Sequence, residues 1–234
     1  MAKQKQEQEQ EQVAKGYKLL IAGDSNSGKT SLTKNLKNTL VISHDGKAYP
    51  FKVPHGTIKE INTTAELTTF VNEKVDAYIE RYGSMPENIV FDSVSRIYDS
   101  LYDACNKRYT GFNIYSNLDK EIKEFADFLE QILEVGVNLI IISHSIADAD
   151  TGKTNLVGKG SFAKLGGFLS VVDEAIYIQT KKNDKRELHF RSTVYPARTL
   201  QDDLPNTIAV EDFDLQTHVE RLSDAAKGSL EFSL

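Results

Sequence analysis

The chain has 234 residues, 40% of them hydrophobic and 26% charged, with a formal net charge of −6; that length builds one good-sized α/β domain and does not demand two. The acidic balance excludes a surface coated in positive charge, so any nucleic-acid contact has to be local, built from loops. Its one cysteine, Cys105, excludes an internal disulfide and fits a reducing compartment, and with no membrane-spanning apolar run and no signal-peptide core at the start the expected location is the cytoplasm, without a membrane partner.

Residues 1–14 open with a low-complexity stretch, AKQKQEQEQEQ, that lacks apolar side chains and is expected to be a disordered or loosely helical tail. Tyr17–Ala22 then reads as a buried strand. It runs into Gly23-Asp24-Ser25-Asn26-Ser27-Gly28-Lys29-Thr30, a complete G-x-x-x-x-G-K-[ST] phosphate loop, followed by Ser31 and a helix expected over Thr30–Leu36. In such a loop the glycines let successive backbone N–H groups point at a phosphate, and the new helix adds its positive end. Lys29 reaches the outer phosphates, and the Thr30 hydroxyl is placed to ligate Mg²⁺. Strand, loop and helix in this order imply a nucleoside triphosphate site that spans Gly23–Ser31.

Thr39–Ser43 is a short β-type run that ends at the turn His44-Asp45-Gly46, and Pro50 and Pro54 bracket an irregular stretch leading to a short run near Thr57-Ile58. Thr63 and Glu66 form a capping box for a helix that carries Leu67, Phe70, Val71, Val75, Tyr78 and Ile79 on one face and ends at Gly83. Asn88–Asp92 is an apolar run closed by an acid, with a helix expected from Ser93 to about Tyr102. Ile122, Phe125, Ala126, Leu129, Ile132 and Leu133 mark a further helix that leaves at Gly136. Val137–Ile142 is the most apolar run and ends at Ser143-His144-Ser145. Continuous apolar runs alternating with helices predict βαβ units and a doubly wound, mostly parallel sheet. Glu174–Gln179 and Glu187–Arg191, split by Lys181-Lys182-Asn183-Asp184-Lys185, predict a C-terminal antiparallel hairpin. The expected division is a tail over 1–14, a nucleotide-binding core over 15–200 and a C-terminal extension over 201–234.

Phosphoryl transfer needs positioning and charge neutralisation. Asp92, at the carboxyl end of an apolar strand, is the candidate second metal anchor beside Thr30, although an N-cap of the following helix is a compatible use of it. Asp45 is the candidate group to activate water, with Glu60 as an alternative; beside Gly46 it reads equally well as a turn former. His144, with Ser143, ends the strand expected next to that of Asp92, where a polar side chain can sense the γ-phosphate or attacking water; backbone bonding is the plainer use of a strand-end histidine. Two segments mix cations with aromatics. One, over 106–115, holds Lys107, Arg108 and Tyr109; the other, over 151–164, holds Lys153, Lys159, Phe162 and Lys164. Read as loops, they would track phosphates with cations and stack bases on rings, or simply pack on the body. Around the hairpin, Lys181, Lys182, Arg186, Arg191 and Arg198 include a candidate finger acting in trans on a neighbour's nucleotide, or together form a solvated tip.

The succession of phosphate loop, Val90-Phe91-Asp92-Ser93-Val94-Ser95, and Leu139–Ser145 followed by a Gly/Lys segment resembles the RecA-type ATPase core, most of all the compact phage-encoded RecA-like ATPases linked to single-strand annealing. The resemblance spans about residues 16–200 and implies an α/β RecA-like P-loop fold, ATP with Mg²⁺, rings or filaments with nucleotide between subunits, and a phage enzyme of the host cytoplasm. It implies DNA-stimulated ATP hydrolysis on single-stranded DNA, in company with an annealing or single-strand-binding protein. Lys29 and Thr30 match the Walker A positions, Asp92 the Walker B acid, His144 the sensor, and the two cationic segments the inward-facing DNA loops. Asp45 stands where that family commonly has a glutamate, and histidine replaces the usual glutamine at the sensor. AAA+ proteins usually follow the Walker B aspartate with glutamate, where this chain has Ser93. Translational-type GTPases need D-x-x-G and N/T-K-x-D, which Asp92 and Thr180-Lys181-Lys182-Asn183 do not complete. A nucleotide-dependent assembly switch and a small-molecule P-loop kinase, for which no arginine-rich lid is visible, are the alternatives in function.

Overall fold

The apolar runs of the sequence become the parallel centre of one sheet. The structure, a computed structural model, describes residues 15–46, 48–158, 160–164 and 166–227; the segment 1–14 read as a tail, residues 228–234 of the extension, and the DNA candidate Lys159 lie outside the described residues. In chain order the strands are β1 (Lys18–Gly23), β2 (Thr39–Ser43), β3 (His55–Thr57), β4 (Asn88–Asp92), β5 (Asn138–Ala147), β6 (Thr154–Leu156), β7 (Glu174–Thr180), β8 (Arg186–His189) and β9 (Thr207–Ala209). The helices are α1 (Lys29–Leu32), α2 (Thr64–Tyr82), α3 (Val94–Arg108), α4 (Phe112–Glu134), α5 (Gly160–Lys164) and α6 (Leu215–Lys227).

Strand order is β3-β2-β4-β5-β1-β7-β8-β9, with β6 paired to the far end of β5. Neighbours from β3 to β7 are parallel, and β7–β8 and β8–β9 are antiparallel. The expected α/β architecture, a mostly parallel sheet carrying a C-terminal antiparallel hairpin, is the one observed.

Side chains of a strand alternate between faces, and here both faces are apolar. Leu20, Ala22, Leu40, Ile42, Ile89, Phe91, Leu139 and Ile141 pack with α2, α3 and α4. Leu19, Ile21, Val41, Val90, Ile140 and Ile142 pack on the other side with Leu215, Val219 and Leu222 of α6. That double cover is why these strands read as unbroken apolar runs.

α2 starts and stops where its sequence dictates. Thr63 accepts a hydrogen bond from Glu66 N, Glu66 Oε2 accepts one from Asn62 N at 2.8 Å, and Gly83 closes the helix at φ 77°. Other boundaries differ from expectation. The helix after the phosphate loop is one α turn followed by a 3-10 turn over Thr33–Asn35, because Asn38 turns back at φ 45° to begin β2. α3 runs on to Arg108, and α4 already begins at Phe112, since Ile114 and Leu118 carry the apolar face back from Ile122 in steps of four. The cationic segment 106–115 is therefore two helix ends around Tyr109-Thr110-Gly111. The second segment is likewise ordered into β6 and α5. Its Phe162 stacks on Tyr98 with ring centroids 5.5 Å apart and is packed against the core, so that ring is already engaged.

Candidate functional site

The carboxyl ends of β1, β4 and β5 meet at one edge of the sheet, and β5 lies between the other two. Gly23 is level with His144, and Asp92 with Ile142. The phosphate loop rises from β1. Its turn needs a backbone that ordinary residues avoid: Gly28 has φ 95°, in the left-handed region that favours glycine.

Lys29 folds back inside this loop. Its side chain is buried, and Nζ donates to Gly23 O at 2.9 Å and Asp24 O at 2.7 Å. An ammonium has three protons to donate, so two carbonyls hold the group in place and leave one for a ligand. Burial pulls its pKa down to about 8, against the opposing pull of Asp92, Asp24 and Asp45. Across the mouth, Thr30 Oγ1 donates to Asp92 Oδ2 at 2.7 Å, a contact between residues 62 apart in sequence. Asp92 is 8% exposed, and burial raises its pKa, with the Thr30 hydrogen bond opposing. The site thus contains a desolvated ammonium and a desolvated carboxylate, each bonded to neutral partners and not to each other. An anion would relieve the first and a cation the second.

The surrounding polar atoms tell the same story. Ser27 Oγ and Ser93 Oγ are buried without a hydrogen-bond partner among the described residues, and Tyr49, whose pKa burial pushes up, sets its hydroxyl against Thr33 and Asp92. Buried polar groups are normally satisfied, so two such hydroxyls beside one loop suit a polar ligand. Hydroxyl and carboxylate oxygens, with phosphate and water completing the shell, are the donor set for Mg²⁺. Among the described residues no group of three or more His, Cys, Asp or Glu forms a protein-only metal cage.

The other candidates divide. Asp24, Ser25, Asn26 and Ser31 lie at the exposed rim of the loop, and Asp24 Oδ1 accepts from Ser145 Oγ at 3.0 Å and Tyr177 Oη at 3.4 Å. Asp45 follows β2, 3.8 Å from Arg96 Nε, and its charge is felt at both Lys29 and Asp92. Asp45 and Glu60 share a cavity of about 290 Å³ with Arg96 and Lys107. β5 does not end at His144 as expected but runs on to Ala147 to pair with β6; His144 lies within it, level with Gly23, where its backbone N–H donates to Ser95 Oγ at 2.8 Å, and the same oxygen lies 3.1 Å from the buried Ser143 Oγ. Lys107 and Arg108 occupy the last turn of α3, about 16 Å along the helix from Arg96, and Arg108 donates to Asn62 O at 3.3 Å. Lys107 thus links the cavity of Asp45 and Arg96 to a corner where Tyr109, Phe112 and Tyr115 are exposed. Lys153 lines a cavity of about 190 Å³ beside Tyr195, and Lys164 ends α5.

Residues 15–199 match the AAA domain family. The chain belongs to that family. This AAA domain also resembles in fold a KaiC-like protein from the hyperthermophilic archaeon Pyrococcus horikoshii, with TM-score 0.52 at 12% identity over 83% of this chain and 85% of that one. No curated protein matches the chain. The fold is that of a P-loop AAA-type ATPase, and the family carries the AAA name although Ser93, not glutamate, follows Asp92. Among the described residues no helix is long and apolar enough to cross a membrane. Sequence reasoning missed Ser95, Tyr49, Tyr177 and Arg96 at the site. Tyr49 and Tyr177 arrive from other parts of the chain, while Ser95 and Arg96 follow Asp92 in the first turn of α3, where nothing local marks them as part of the site.

Proposed function

We propose that this AAA domain binds ATP with Mg²⁺, hydrolyses it, and couples that cycle to single-stranded DNA in phage recombination or replication. The observation that carries the nucleotide half is the Thr30–Asp92 hydrogen bond beneath a buried Lys29. Thr30 and Asp92 would hold Mg²⁺, which would neutralise charge on the outer phosphates. Lys29 binds those phosphates, the loop amides orient them, and Asp45 orients or deprotonates the attacking water while His144 registers whether the γ-phosphate is present. Within this reading Asp45 is favoured over Glu60, because its charge reaches Lys29 and Asp92.

The DNA half rests on the corner between α3 and α4. There Lys107 and Arg108 adjoin exposed Tyr109 and Tyr115 and the 83% exposed Phe112, the pairing of cations and rings that holds single strands without sequence preference. A second reading, a nucleotide-dependent assembly switch with slow turnover, is favoured by the Arg96 contact that engages Asp45. Steady-state ATP hydrolysis with and without a single-stranded oligonucleotide separates the two. Stimulation that disappears in Lys29→Ala supports the DNA-coupled ATPase. Tight nucleotide binding without stimulation refutes the DNA coupling and leaves the switch, while absence of nucleotide binding refutes both.

A further inference from the structure

The hairpin cations differ sharply in what they touch. Arg191 donates to Leu204 O and Gln201 O, and Arg198 to Val172 O, so both fasten backbone. Lys181 pairs with Glu187. Arg186 has no hydrogen bond or ion pair among the described residues, and its guanidinium lies directly over the phosphate loop of its own chain. A Cβ placed on Gly28 would run into Arg186 Nη1 and stand 3.5 Å from Cζ.

The sheet makes this placement. β7 runs parallel to β1 with Ile178 level with Gly23, then continues for two more residues to Thr180, which faces Arg186 across the hairpin. Two residues of strand are about 7 Å, which carries Arg186 past the end of β1 and onto the loop. The turn that follows is held by Lys181 N to Lys185 O at 2.8 Å and Asp184 N to Lys181 O at 3.0 Å. An ordered hairpin therefore presents a guanidinium with no side-chain hydrogen bond or ion pair among the described residues to a loop whose lysine is also a cation.

We propose that Arg186 binds the phosphates of the nucleotide held by its own subunit, acting in cis and not as a finger in trans. The proposal rests on the nucleotide reading above. Asp92 and His144 approach the loop from the β4 and β5 side, and Arg186 approaches from the β7 side. Arg186 therefore meets the α- and β-phosphoryl oxygens, which ATP and ADP share, and its planar fork of N–H groups suits them. Its role is to hold nucleotide, before and after hydrolysis.

The test is calorimetric titration of Mg-ADP and Mg-ATP into wild type, Arg186→Ala, Arg186→Lys and Lys29→Ala over a tenfold range of protein concentration. Arg186→Ala is expected to weaken both nucleotides about tenfold, by the same factor at every protein concentration, and Arg186→Lys to recover part of the loss. Mixing Arg186→Ala with Lys29→Ala is expected to give no more ATPase activity than the two apart, because the intact arginine of the second variant faces its own disabled loop. Unchanged ADP affinity in Arg186→Ala, while Lys29→Ala is impaired, overturns the proposal alone. Recovery of activity on mixing assigns Arg186 to a neighbour's site and also overturns it. Wild-type binding by Lys29→Ala overturns the phosphate-loop reading and the proposal with it.

Discussion

Replacing Lys29 by alanine separates a functional lysine from a structural one, because the two roles predict opposite effects on the ligand-free protein. A buried lysine that held the fold together would cost several kcal/mol to remove. Here burial pulls the pKa from 10.5 to about 8, which corresponds to about 3 kcal/mol against the charged form. Its two hydrogen bonds to Gly23 O and Asp24 O each contribute about 1.5–3 kcal/mol, which offsets that cost and leaves a net contribution of at most about 3 kcal/mol. Lys29→Ala is expected to lower the ligand-free melting temperature by no more than about 10 °C and to leave the protein folded. The nucleotide response should behave differently. At a hundredfold excess over its dissociation constant a ligand stabilises by about 2.7 kcal/mol, or about 5–10 °C for a domain of this size. Losing a charge-assisted contact worth about 2–4 kcal/mol weakens binding roughly 30- to 1000-fold and removes most of that shift. Thermal denaturation with and without Mg-ADP measures both quantities in one experiment. A collapse of the ligand-free protein would refute the functional assignment of Lys29, and a preserved nucleotide shift would refute its contact with phosphate.

Asp92→Asn keeps a side chain of the same shape against Thr30 and removes a charge that burial disfavours. The ligand-free protein is expected to be as stable as wild type, while ADP affinity measured with and without Mg²⁺ loses its metal dependence. His218→Ala breaks the buried pair in which Nε2 lies 2.8 Å from Glu174 Oε1. Orphaning a buried carboxylate costs about 3–5 kcal/mol, so the urea midpoint should fall substantially and recover when both partners are replaced by leucine. Charge reversal of Lys107 and Arg108 together should weaken single-stranded DNA binding and flatten its dependence on salt, by about one unit of log–log slope per lost phosphate contact. Unchanged binding would dismiss the α3–α4 corner as a DNA surface.

The parallel core was legible because its signals are local. Strands covered on both faces leave unbroken apolar runs, as at Leu139–Ile142, and the phosphate loop leaves a glycine pattern. Even the order of β4 beside β5 followed from the acid and the polar residues that end those runs. Helix starts were harder. α4 begins after Gly111 at φ 60° with no side-chain cap, and its first residues, Phe112-Asn113-Ile114-Tyr115, look like a loop until Leu118 is seen to share their face. The segment Thr30–Leu36 reads as a helix after the phosphate loop. The chain instead tightens into a 3-10 turn there, because β2 must start at Thr39. Contacts that join distant elements had no local signal. Tyr49 against Asp92, Ser95 under His144, and Arg186 over Gly28 exist because of strand order alone.

That order also explains how one site keeps two opposite charges close without letting them neutralise each other. With β5 between them, the strand that leads into the phosphate loop and the strand that bears Asp92 lie two inter-strand spacings apart, about 10 Å. Lys29 is turned back onto the carbonyls of its own loop, and Asp92 is bridged to the loop only through the neutral Thr30 hydroxyl. As built, burial disfavours the charged form of each, and a ligand that brings an anion to one and a cation to the other relieves both. This predicts a contrast across the molecule. Neutralising Lys29 or Asp92 leaves the fold intact and abolishes metal-linked nucleotide binding, whereas breaking the equally buried Glu174–His218 pair, where the partners do meet, destabilises the fold and leaves the loop chemistry in place. If Lys29→Ala and His218→Ala lost stability to the same degree, the separation of charges at the phosphate loop would have no functional meaning.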